Sequence, residues 1–196
     1  MARFVWSILG LTIVLFLSSC ATTTVSLQET KNRAYSEPLT KLFVEVNVGD
    51  WKCSANTGTS DSPVWKEIEL ADYLTATLEK TFQEYGIETK AIRLNDVNVD
   101  QDQIMKEISD FGATKVMEVQ LSEAVVTPNR HVLHGVFDVW IQHMTNSIYW
   151  RAKITVVGGK SYIFYPVAIV QSKVIDSIIS ALQSDGLVKQ PPTKSD

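Results

Sequence analysis

The chain has no block of lysine or arginine. Its 18 basic residues are scattered among 22 acidic ones, which gives neither the electrostatic footprint of a nucleic-acid binder nor a polybasic patch for a lipid surface. A long apolar run is missing too: Phe4 to Leu17 is fourteen residues of almost unbroken hydrophobicity, short of the roughly 20 that a membrane-spanning helix needs. Catalytic signatures are equally scarce, with no H-E-x-x-H, C-x-x-C or G-x-S-x-G. Gly159-Lys160-Ser161 matches only the end of a phosphate-binding loop, because position 154 is Ile where the first glycine of the nest must stand. The only histidines are His131, His134 and His143. On a strand the first two point to opposite faces, so they converge on a metal only if they lie in the loop after Pro128-Asn129. These absences predict no enzyme, no metal and no cofactor.

What is present begins with the leader. Arg3 supplies a basic start, Phe4 to Leu17 an apolar core, and Ser18-Ser19 the small residues before Cys20. Leu17-Ser18-Ser19-Cys20 resembles the lipobox of bacterial lipoproteins. That resemblance implies a signal peptide over residues 1–19, cleavage before Cys20 and lipidation of its thiol and amine, with palmitate among the acyl chains. Two or three chains would hold the protein almost permanently in a bilayer, at about 0.8 kcal/mol per buried CH₂. Ala21 follows the cysteine, and the absence of Asp there favours the outer membrane over the inner one. With Cys20 acylated, Cys53 has no intramolecular partner; it is either a small buried or loop residue, or a thiol that forms an intermolecular disulfide or is reactive in an oxidising periplasm.

The remainder is long enough for one domain with a real core. Residues 20–37 are Thr/Ser/Asn-rich without a sustained apolar period and predict a flexible tether; residues 38–187 predict the domain and 188–196 a loose tail. Leu42 to Val48 is a first strand, and the polar stretch 49–61 predicts a long loop. Ser62-Pro63 predicts a helix start, after which Ala71, Leu74, Leu78, Phe82 and Tyr85 share one face and Gly86 stops the helix. Ile87 to Leu94 predicts a strand, Asp100 with Gln103 a capped second helix ending at Gly112, and Val116 onward a half-exposed strand. His134 to His143 and Ile148 to Val157 form a hairpin, and the stripe from Pro166 through Leu182 closes the chain as a helix. The order β-α-β-α-β-β-β-α predicts an α/β fold: a single mixed sheet packed by helices.

Phe82, Tyr85-Gly86-Ile87, the run Phe111 to Val116, and Asp138 with Trp150 across the hairpin together resemble a superfamily of envelope lipoproteins. Its members include the curli secretion lipoprotein CsgG, and the N-terminal domain of the Tol system protein TolB has a similar fold. The resemblance covers about residues 40–187 and implies fold more than activity. It also implies a periplasm-facing, outer-membrane-anchored lipoprotein that serves as a binding, scaffold or accessory subunit of an envelope assembly or transport system, with an envelope protein as its partner. Binding of a small lipid or peptide ligand is the alternative, and an oligomeric secretion-channel component ranks below it, because Arg151 and Lys153 interrupt the rows a lipid-facing strand would need. Trp51 and Trp65 are candidates for a partner surface, since exposed aromatics favour interfaces. Asp138 and Glu118 fall on the wet face of the sheet, where a charge is ordinary.

Overall fold

The computed structural model describes residues 24–31, 37–56, 65–94, 100–126, 128, 132–145, 147–157 and 168–189. Their elements run β1 (Thr24–Lys31), β2 (Lys41–Asn47), β3 (Lys52–Asn56), β4 (Trp65–Glu69), α1 (Leu70–Glu84), β5 (Glu88–Arg93), α2 (Gln101–Phe111), β6 (Lys115–Val126), β7 (Val132–His143), β8 (Ile148–Val157) and α3 (Ala168–Ser184). The mixed α/β sheet expected from the sequence is present as six strands in the order β1-β8-β7-β6-β2-β5. β2 is parallel to both β5 and β6, and every other pair in this sheet is antiparallel.

The main core lies on one face of that sheet. Leu42, Val44 and Val46 of β2 alternate inward, as do Met117 and Val119 of β6 and Val139 and Ile141 of β7, and α1 covers them with Leu74, Leu78 and Phe82. α3 adds Val174, Ile178 and Leu182. On the other face, among the described residues, a small cluster forms where Ile108 of α2 packs with Phe43, Ala113 and Val116. The Asp100 side chain caps α2 by accepting from the N–H groups of Asp102 and Gln103 at 3.1 and 3.3 Å. Gly112 ends the helix in the left-handed region at φ 73°, where a Cβ would be strained.

Three expectations need correction. Thr24–Lys31 is an edge strand rather than a free tether: it runs antiparallel to β8 from Thr24 opposite Val157 to Lys31 opposite Trp150. Edge pairing draws on main-chain groups, which leave no hydrophobic period in the sequence. Within the expected loop 49–61, Lys52–Asn56 is a strand paired with Trp65–Glu69. The first helix therefore starts at Leu70 and not near Ser62-Pro63, two residues that lie outside the described ones. Its N-cap Glu69 makes no side-chain capping bond, and Leu70 N–H instead donates to the Trp51 carbonyl at 2.7 Å. Finally, Val188, expected in the loose tail, is buried beside Leu187, whose carbonyl accepts from Leu39 N–H at 2.8 Å.

Gly135 of β7 marks a close approach. A Cβ there would stand 2.8 Å from Phe137 Cε2 and 3.2 Å from Leu121 Cδ1, both in the packed interior. Gly135→Ala is expected to destabilise the protein by about 1–3 kcal/mol through overpacking, read as a lowered midpoint in urea unfolding.

Candidate functional site

Among the described residues, α2 packs on one end of the sheet face opposite α1 and α3, and register lines up the residues of that face in rows across the strands. One row runs Ile92, Glu45, Glu118, Trp140, Arg151, Thr30 from β5 to β1. The next runs Asn47, Gln120, Asp138, Lys153, Gln28. Acids therefore gather toward β2 and β6, bases on β8, with half-buried Trp140 between them.

The basic end is internally compensated. Asp138, whose side chain is only 11% exposed, sits 3.4 Å from Arg151 and 3.9 Å from Lys153. The acidic end is not. Glu45 and Glu118 are directly opposed on adjacent parallel strands, about 4.8 Å apart by sheet geometry. Among the described residues no cation lies within ion-pair distance of either carboxylate. Burial, and then the like charge of Glu118, push the Glu45 carboxyl up to about 7; burial raises Glu118 as well.

These two carboxylates line a cleft of about 340 Å³. Its walls are Leu94, Ile104, Met105, Ile108, Val116 and Met144, with Gln101, Gln142 and His143 as further polar groups. Met105 and Met144 are 50% and 37% exposed and form an apolar rim. Three lysines near this end of the sheet are engaged elsewhere. Lys90 holds Glu107 at 3.0 Å and lowers that carboxyl, Lys41 holds Glu88 at 2.8 Å, and Lys115 lies over the Tyr149 ring. A larger depression of about 390 Å³ between α1 and α3 is lined mainly by hydroxyls and amides, with Glu84 and Asp176 as its charged groups.

Of the residues singled out from sequence, Glu118 and His143 line the cleft and the others fall elsewhere. Cys20, His131 and the Gly159-Lys160-Ser161 turn lie outside the described residues. Trp51 is partly buried and packed against the main core, and Trp65 opens β4 opposite Asn56. Cys53 is buried and unpaired by disulfide, and its thiol is pushed up to about 12 by burial and then by Glu69, which suppresses the reactive thiolate. Asp138 and Trp150 do not face each other: Asp138 opposes Lys153 on the open face, while Trp150 opposes Ile141 on the covered one and its indole N–H donates to Asp185 Oδ2 at 2.7 Å. Glu118 is part of the cleft; Glu45 is the residue sequence reasoning missed. Its signal is a charge in the middle of the buried strand Phe43-Val44-Glu45-Val46, where one face must carry it.

No protein-family profile and no curated protein sequence matches the chain. Among solved structures the fold is similar to a variant PelC dodecamer from Paraburkholderia phytofirmans, 14% identical, with 82% of this chain and 99% of that chain covered and a TM-score of 0.50. A second PelC dodecamer from the same organism, also 14% identical, covers 85% of this chain and 100% of that chain at a TM-score of 0.47. At this identity the first likeness establishes the fold alone.

Proposed function

We propose that the chain is an envelope lipoprotein, anchored in the outer membrane through Cys20 and facing the periplasm, that works by binding, as a scaffold or accessory subunit of an envelope assembly or transport system. The observation that supports this most directly is the open sheet face, where Trp140, the Asp138 cluster and the acidic cleft are presented on a rigid platform rather than folded into the core. Buried aromatic anchors flanked by charge are the usual composition of a recognition surface. The same fold assembles as a dodecamer in PelC, and we extend self-assembly to this chain as part of the proposal.

In-cell crosslinking of the full-length protein is expected to trap an envelope protein, further copies of the chain, or both. Membrane fractionation is expected to place the protein with outer membranes and to release Cys20→Ala. Retention of Cys20→Ala in the membrane fraction would overturn the anchor, and crosslinks to no envelope protein and no second copy would overturn the scaffold. A second reading, a carrier of a small amphiphile, is favoured by the cleft's apolar rim over a polar floor.

A further inference from the structure

We infer that the cleft between β2, β6, the end of β7 and α2 binds an organic monocation, a primary ammonium on an apolar stem, with the charge seated between Glu45 and Glu118 and the stem lying along Ile104, Met105 and Met144. This rests on reading the chain as a binding protein, and it names the chemistry that one of its surfaces would take.

The argument is one of complementarity. Two carboxylates side by side at the floor of a cleft are unfavourable for each other and for themselves, because each has lost water and neither has gained a cation. Two strands away the same sheet meets the same problem with Arg151 and Lys153, so the open face has a demonstrated answer that the cleft lacks. Among the described residues no group supplies the missing charge, and a bound cation is the partner such a floor fits. An anion is repelled, and a neutral apolar molecule would strip more water from the carboxylates without replacing it. A divalent metal ion requires several hard oxygen ligands, whereas beyond the two carboxylates the cleft offers two amides and an imidazole among hydrocarbon and thioether, and no group of three metal-binding side chains occurs among the described residues. An ammonium brings three donors and one charge to two carboxylates, and its stem covers the methionines that now face water. The chemistry is shared by a free alkylamine and by a lysine side chain of a partner.

The chain's four methionines make the test direct, because Met105 and Met144 line the cleft while Met117 is buried on the opposite face. Full-length protein in detergent, labelled with ¹³C at the methionine methyls, is titrated with n-hexylammonium, with n-hexanol as the neutral control, and with Nα-acetyl-lysine methylamide as the side-chain mimic. Hexylammonium is expected to move the Met105 and Met144 signals saturably and leave Met117 in place, and hexanol is expected to produce no saturable shift. The double variant Glu45→Gln, Glu118→Gln should weaken binding at least tenfold, with an unchanged Met117 signal as proof of folding. Binding of the lysine mimic as well assigns the site to a partner's side chain, and binding of hexylammonium alone assigns it to a free amine; both support the inference. Equal saturable shifts with hexanol, undiminished binding by the double variant, or no shift at all would overturn it. Cys20→Ala should respond like the unaltered protein, so a failed titration and a failed membrane anchor are separate results.

Discussion

Trp150→Ala is expected to destabilise the protein by about 3–5 kcal/mol, a large fraction of the roughly 5–15 kcal/mol that holds a domain together. Trp150 is fully buried, and no buried side chain of the described residues is larger. It stands in β8 between Ile141 of β7 and Lys31 of β1, so it packs at the seam where the edge strand joins the hairpin. Its indole N–H also donates to Asp185 Oδ2 at 2.7 Å, tying the sheet to the turn that follows α3. Two effects are therefore superimposed, and a second variant separates them. Asp185→Asn retains an acceptor oxygen for the indole and should lose only the charge-assisted part of the bond, about 1 kcal/mol. Urea unfolding followed by far-ultraviolet circular dichroism checks both. A loss for Trp150→Ala no greater than for Asp185→Asn would mean that the ring's packing contributes little, contrary to its complete burial.

Where one face of an element is buried, its sequence shows a period, and those elements were legible. β2, α1, β6 and the β7–β8 hairpin all follow the alternations read from Leu42, Leu74, Met117 and Phe137, because their inward rows are continuous. β3 and β4 were not legible, since Lys52, Ser54 and Asn56 read as a turn-rich loop and, among the described side chains of the pair, Cys53 and Ile68 are those that pack into the core. The helix expected from Ser62-Pro63 onward begins at Leu70, because Trp65–Glu69 is held as a strand against Lys52–Asn56, tertiary pairing overriding local preference over those five residues. The relative placement of Asp138 and Trp150 across the hairpin was hidden for a similar reason. An extra residue, Tyr149, sits where the register shifts between Ile141 and Gln142, and the two residues end on opposite faces of the sheet. The cleft was the least legible feature. Glu45 and Glu118 meet only because β2 is inserted between β5 and β6, and no spacing within either strand announces that neighbour.

That same pairing makes stability depend on pH in a direction opposite to most carboxylates. Glu45 holds its proton to about pH 7 in the folded chain, against 4.5 for the ordinary group, because burial and the Glu118 carboxylate disfavour its ionisation. Below about pH 4.5 both folded and unfolded chains carry the proton and Glu45 imposes no penalty. Between about 4.5 and 7 the unfolded chain ionises freely while the folded one retains its proton, so stability falls as pH rises; above 7 the loss is complete and constant. A tenfold difference in acidity between the folded and unfolded carboxyl corresponds to about 1.4 kcal/mol, and partial exposure of the group reduces the total to about 2 kcal/mol. Glu45→Gln keeps the shape and removes the titration. It should therefore match the unaltered protein at pH 4 and exceed it by about 2 kcal/mol at pH 8, measured as urea midpoints across that range. The other titratable groups on this end of the sheet are Glu118 and His143 lining the cleft and the Lys90–Glu107 pair beside it, all of which the variant leaves in place. Equal stability of the two proteins at pH 8, or a Glu45→Gln protein weaker there than the parent, would mean that Glu45 is ionised and satisfied in the fold, and the unpaired floor on which ammonium recognition depends would not exist.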